Sequence, residues 1–242
     1  MKAIYKPKGK AAEYGEYAVN LYSGCVHGCK YCYVPGLLRI SREEFRSGFK
    51  LRPGILEQLE KDAAKHPKDK PVFLSFTSDP YQPGNDLPTR EALEILNKHE
   101  IPFIILTKGP SRAIRDFELY KPGDMYGVSL VFDDSTIQEP GAGLTKQRLI
   151  SLSIARDMGI STWVSFEPVI DPRDTLFLLT MVLQNKLADF VKVGACSGGH
   201  SKIKTKAEWF KFSNTVERIA SYYSDTQVIL KQELIDLAEE RR

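Results

Sequence analysis

The sequence predicts an α/β fold, an incomplete (β/α) barrel of about six to seven parallel strands. Short runs rich in β-branched and aromatic residues alternate with amphipathic stretches, the rhythm that builds a parallel sheet through right-handed crossovers. At 242 residues, 42% of them apolar, the chain can bury one good core but is short for a full eightfold barrel with additions. Unusual polar residues fall just beyond the carboxyl ends of the runs, where parallel α/β folds gather functional groups.

The first strand is expected at residues 17–21, directly before a cluster of cysteines. The following strands are expected at 72–76, 103–106, 126–130, 162–166, 190–193 and 227–230. Residues 54–65, 89–99, 146–158, 172–185 and 206–222 carry apolar side chains at helical spacing. Gly159 stops the third of these helices, as a C-cap glycine does. Pro- and Gly-rich pieces at 80–88 and 139–143 read as loops. No repeat, low-complexity tract or long linker divides the chain, so one domain over 1–242 is expected, with an extension over 201–242.

Three of the four cysteines lie within Gly24-Cys25-Val26-His27-Gly28-Cys29-Lys30-Tyr31-Cys32-Tyr33. Such a C-x3-C-x2-C loop can give three thiolates to a cubane iron–sulfur cluster and leave one iron without a protein ligand. Cubanes that only carry electrons are normally closed by four cysteines, so an open iron implies a bound small molecule. Gly24 and Gly28 supply the backbone freedom for the wrap. Disulfides fit poorly, because cysteines this close pair badly and Cys196 would have to take one of three. Zinc is the alternative, either on Cys25, Cys29, Cys32 and His27, or on Cys29 and Cys32 with Cys196 and His200. The protein would then be a non-catalytic binding module. A cluster closed by Cys196 or His200 would make it a redox sensor instead.

The remaining polar residues form a ring. Thr77, Ser78 and Asp79 follow the second strand, and Thr107 and Lys108 the third. Ser129 ends the fourth strand, Glu167 follows the fifth and Cys196 the sixth. Each alone is an ordinary turn or strand end. Together they outline the mouth of a site.

The segment from Gly24 to Tyr33 resembles the signature of the radical S-adenosylmethionine (SAM) enzymes, C-x3-C-x-aromatic-C, with Tyr31 as the aromatic residue. Asn20, Gly24, His27, Tyr33, Thr77-Ser78-Asp79-Pro80-Tyr81-Gln82-Pro83, Thr89-Arg90, Thr107-Lys108, Glu139-Pro140 and Arg148 extend the likeness to the spore photoproduct lyase-like branch. The resemblance implies a radical SAM barrel and a [4Fe-4S] cluster on Cys25, Cys29 and Cys32, with SAM chelating the fourth iron. It implies that SAM is cleaved to methionine and a 5′-deoxyadenosyl radical, which abstracts hydrogen from a substrate, a nucleic acid in the lyase-like case. It further implies SAM contacts by the ring, with Tyr31 beside the adenine, and an external one-electron reductant of flavodoxin or ferredoxin type. From the chemistry of SAM, Asp79 suits its ammonium or ribose, Lys108 its carboxylate, and Ser78 and Ser129 its hydrogen-bonding groups. Arg148 suits the carboxylate as a second partner, and Glu167 completes the set.

The chain departs from the lyases at Phe76, which stands where they place a hydrogen-donating cysteine. Their relay tyrosines match Tyr31 and Tyr33. Tyr33 and Cys196 are therefore the catalytic candidates, Cys196 as a donor from another strand; the competing expectation is a small buried hydrophobe. The formal charge of +3 names no partner. Lys202, Lys204, Lys206 and Lys211 beside Trp209 and Phe210 could follow a phosphate backbone, or form a solvated helix face with both rings in the core. Without an apolar h-region near Met1 or a run long enough to span a bilayer, and with clustered thiols, the expected location is the cytoplasm, away from membranes.

Overall fold

A computed structural model describes residues 2–84, 87–196 and 199–239. From the amino end, the chain runs through β1 (Tyr17–Val19), β2 (Tyr22–Ser23), α1 (Val34–Leu38), α2 (Arg42–Ser47), β3 (Lys50–Leu51) and α3 (Ile55–Ala63). It continues through β4 (Val72–Leu74), α4 (Leu87–Lys98), β5 (Phe103–Thr107), α5 (Pro110–Ala113), β6 (Met125–Ser129) and α6 (Thr145–Asp157). Last come β7 (Ser161–Val169), α7 (Pro172–Gln184), β8 (Phe190–Ala195), α8 (Lys206–Ala220), β9 (Gln227–Leu230) and α9 (Gln232–Ala238). Among the described residues, seven strands form one parallel sheet in the order β1-β4-β5-β6-β7-β8-β9, while β2 and β3 pair separately and antiparallel.

Alternation along each strand splits the apolar residues between two faces. Leu74, Phe103, Ile105, Val128, Val164 and Val191 join the main core with helix residues such as Leu93, Leu152, Leu178 and Val182. Ala18, Phe73 and Trp163 form a second cluster with Tyr14, Phe76, Ile104 and Leu106. Gly127 makes room for the indole there, since a Cβ at that position would stand 2.3 Å from Trp163 Nε1.

The gap between β1 and β9 is bridged by the amino-terminal segment. Tyr5 exchanges backbone hydrogen bonds of 2.9 Å with Ala18 on β1. A 3-10 turn, Gly9–Glu13, follows, and Tyr14 then lays its ring against Phe73 and Trp163 at 5.7 and 5.9 Å. Lys192 of β8 donates to the Glu13 carbonyl, and Lys10 pairs with Glu233 on α9.

All seven expected strands are present, six of them with shifted ends and β9 as expected. β1 and β4 are shorter than expected because Asn20 takes over from the ladder: its Oδ1 accepts from the Phe76 and Thr77 amides at 2.8 and 3.2 Å. β7 is longer, so Glu167 lies within the strand rather than after it, where the register against β8 shifts between Phe166 and Val169. The five expected helices are also present, and α8 opens on a capping box of Thr205 and Glu208. Trp209 is buried and Phe210 half exposed, so only one of the two rings enters the core. Ser197 and Gly198, in the loop after Cys196, lie outside the described residues. Among the described residues no helix is long and apolar enough to cross a membrane.

Candidate active site

A cavity of about 580 Å³ opens at the carboxyl ends of the strands. It is lined by Cys25, His27, Cys29, Tyr31 and Cys32 of the cysteine loop, by Tyr5, Lys8, Lys10 and Tyr14 of the amino-terminal segment, and by Phe76, Glu167 and Lys231. The cysteine loop is fixed by its neighbours rather than by internal structure. Ser78 Oγ donates to the Gly24 carbonyl at 2.6 Å, Gln82 Oε1 accepts from the Val26 amide at 2.6 Å, and the Cys25 amide donates to the Phe45 carbonyl at 3.2 Å. Gly24 has φ +74°, and a Cβ there would come within 2.6 Å of the Phe45 carbonyl oxygen and the Phe49 nitrogen. Only glycine lets the end of α2 lie this close.

Asp79 organises the other side of the loop. Its Oδ1 accepts from the Tyr81 amide at 2.9 Å and the Thr107 hydroxyl at 2.6 Å, and its Oδ2 accepts from the Lys108 amide at 2.7 Å. His27 Nδ1 stands 3.5 Å from Oδ2. Burial lowers the His27 pKa, with Asp79 opposing, so the imidazole is neutral. Two buried cavity-lining atoms, His27 Nε2 and Thr77 Oγ1, have no hydrogen-bond partner.

Glu139 is the third organiser. Arg148 Nη2 pairs with its Oε2 at 2.5 Å, the Tyr31 hydroxyl donates to Oε1, and Lys108 Nζ lies 3.9 Å away. Burial alone would raise the Glu139 carboxyl, but the charges of Lys108 and Arg148 and the Tyr31 hydroxyl outweigh it and hold it below the usual range. Lys108 also lies 5.8 Å over the Tyr31 ring. The loop, Tyr31 and Lys108 are thus held by one buried network.

The expected residues divide accordingly. Cys25, Cys29, Cys32, Tyr31, Tyr33, Ser78, Asp79, Lys108, Ser129 and Glu167 all line the cavity, whereas Arg148 and Cys196 do not. Arg148 corrects its expected role: fully buried, it spends its guanidinium on Glu139 and on the carbonyls of Ser129 and Gly143 at 2.8 and 2.9 Å. Ser78 and Asp79, expected to meet SAM, are taken up in holding the loop and Lys108. Cys196 packs against Val131, Phe132 and Ile170, the surroundings of a small hydrophobe. Tyr33 donates to the Phe76 carbonyl at 3.1 Å. Sequence reading missed Tyr14 and Lys231. Lys231 Nζ reaches both Glu167 oxygens at 3.0 and 2.8 Å, and the Tyr14 hydroxyl donates to the same carboxylate.

Three cysteines lining one cavity are a donor set that fits an iron–sulfur cluster with one iron left open. Among the described residues no group of three His, Cys, Asp or Glu side chains is arranged as a ready-made site for a metal ion. Three thiols face a roomy cavity, and Cys196 is too occupied elsewhere to serve as an obvious fourth. Burial pushes the Cys29 thiol up to about 12 and raises Cys25 and Cys32 as well. A metal that binds must therefore displace those protons.

Comparison with known proteins agrees with this geometry. The chain is 28% identical over 171 residues to the uncharacterised protein ORF301 of Acidianus two-tailed virus, covering 64% of this chain and 56% of that one. It is 28% identical over 162 residues to the uncharacterised protein MJ0683 of Methanocaldococcus jannaschii, covering 64% and 61%. The chain thus spans about three fifths of the length of these curated relatives. A spore photoproduct lyase complexed with dinucleoside spore photoproduct superposes with a TM-score of 0.70 at 14% identity, over 94% of this chain and 79% of that one. Streptococcus suis SuiB bound to S-adenosylmethionine gives 0.66 at 13% identity, over 91% and 48%. These structural likenesses are likenesses of fold. Residues 19–176, which hold the cysteine loop, β4 to β6, Glu139 and β7, match the Radical SAM superfamily, and the chain belongs to that superfamily.

Proposed function

We propose that the protein reductively cleaves SAM at a [4Fe-4S] cluster held by Cys25, Cys29 and Cys32, and that the substrate lies in the part of the cavity lined by Tyr14 and Glu167. When bound, the cluster and SAM together supply a 5′-deoxyadenosyl radical for hydrogen abstraction. The observation that carries the reading is the set of three cysteines that line one cavity within the segment matching the Radical SAM superfamily.

The protein's own residues position and shield. Gln82 and Ser78 hold the loop, so the three sulfur atoms keep their places. Lys108, steadied by Glu139, offers its ammonium to a carboxylate, and Ser129 offers a hydroxyl beside it. Tyr31 is clamped by Glu139 and presents an aromatic face to an adenine. Tyr14 keeps its proton, since burial and the Glu167 carboxylate both raise its pKa. Phe76, backed at 4.4 Å by the buried Phe73, lines the cavity and offers a ring to a flat group.

A nucleic acid is the substrate class in this reading, because Lys8 and Lys10 line the cavity beside that aromatic wall. A base in a duplex would have to be flipped out to reach it. The test is anaerobic reconstitution with iron and sulfide, reduction by dithionite with SAM, and chromatography for 5′-deoxyadenosine. The expected result is its formation, abolished by Cys29→Ala. SAM left intact by a fully loaded cluster would overturn the proposal.

A further inference from the structure

The charge of the chain is unevenly placed. Residues 24–52 hold six basic and two acidic residues, a net +4, against +3 for all 242. The remainder is therefore slightly acidic, and the positive charge sits on the cysteine loop and the two short helices behind it. Lys30, Arg39, Arg42 and Arg46 are all exposed there. Among the described residues none of the four has a carboxylate within salt-bridge distance, unlike Lys68, Arg90, Lys98, Arg156 and Lys186 elsewhere on the surface.

Two of the four touch the cysteine loop itself. Arg42 Nη1 donates to the Cys29 carbonyl at 3.2 Å. The Arg46 guanidinium lies over Gly28, where a Cβ would be 3.5 Å from its carbon. Leu38, directly before Arg39 at the end of α1, has 48% of its surface exposed. Exposed cations without carboxylate partners, two of them against the backbone of the cysteine loop, together with an exposed leucine, have the composition of a docking surface for an acidic protein.

We infer that the face formed by Lys30, Leu38, Arg39, Arg42 and Arg46 docks an acidic one-electron carrier of the flavodoxin or ferredoxin type, which reduces the cluster through the Cys29 side of the loop. The inference rests on the cluster reading above. The transfer moves one electron from carrier to cluster; the carrier is oxidised by one electron, and no bond is made or broken. A nucleic acid is the less fitting occupant, because Lys8 and Lys10 lie with the other lining residues of the cavity and none of the four cations lines it.

The experiment compares wild type with the double variant Arg39→Glu/Arg46→Glu, both cluster-loaded, measuring 5′-deoxyadenosine formed with two reductants. One is dithionite; the other is a bacterial flavodoxin kept reduced by NADPH and its reductase. The double variant is expected to keep the dithionite rate and to show a flavodoxin KM raised about tenfold or more. The wild-type flavodoxin rate should also fall from about 0.05 to 0.3 M salt, and the variant's should respond less. An Arg39→Lys/Arg46→Lys variant keeps the charge and should behave as wild type. No reaction with dithionite in wild type would sink the cluster reading itself. A normal dithionite rate with an unchanged flavodoxin KM in the Glu variant would overturn the docking face alone. So would loss of binding to a fluorescent single-stranded oligonucleotide with the flavodoxin KM unchanged, which would assign the face to nucleic acid.

Discussion

Glu139 receives Tyr31, Lys108 and Arg148 and is only 1% exposed. A buried pair broken from one side leaves an uncompensated charge, at a cost of about 3–5 kcal/mol. Arg148→Met is therefore expected to lower stability by about that amount, read as a shift in the urea midpoint. The pH dependence follows from the same pair. The Glu139 carboxyl is held below its ordinary value, so its contribution is full above the unfolded pKa of about 4.3 and is lost as pH falls through the lower folded value. Glu139→Gln should flatten that acid limb in a pH series of melting curves; an unchanged limb would show that other groups set it. This network was half legible in the sequence. Arg148, Ser151, Leu152 and Ala155 share one buried face of α6, and an arginine at that spacing among small and apolar residues is a signal for a buried partner. Tyr14 carried no such signal, because its role arises from contacts 153 residues away in sequence.

At the scale of elements, α2 and the cysteine loop are in contact through Gly24. Gly24→Ala must either push α2 away or abandon a positive φ, at a cost of about 2–4 kcal/mol. The expected outcome is a folded protein that takes up much less iron and sulfide on reconstitution, measured by metal analysis against wild type. Full iron loading would mean that the loop adapts without α2. The strands of the main sheet were readable because β-branched and aromatic residues gather in short bounded runs. Helices α1 and α2, of five and six residues, were not, since fewer than two turns give no measurable period. The position of Glu167 was missed for a different reason. β7 continues past its hydrophobic run through Glu167-Pro168, and a proline at a register shift does not read as strand.

For the whole molecule, the core and the cysteine loop are separate. The main apolar cluster lies between the sheet and its helices, while the three cysteines occupy the rim. Stripping the metal with a chelator is therefore expected to bleach the protein and shift its melting temperature by only a few degrees, in contrast to the collapse of a zinc finger. Loss of far-UV circular dichroism on chelation would show that the loop holds the fold together. The fold class was legible because alternation and length are properties of the whole chain. The contribution of Tyr5, Lys8, Lys10 and Tyr14 to the cavity was not, because it depends on a segment that crosses from one edge of the sheet to the other.

That crossing segment separates two inheritances in one chain. The barrel fixes where the sulfur atoms stand, whereas Pro7, Lys8, Lys10 and Ala11 line the cavity without belonging to any strand. Substitutions among those few residues can widen, narrow or recharge the opening while every ladder stays intact. The set of molecules admitted can thus drift independently of the cysteine loop.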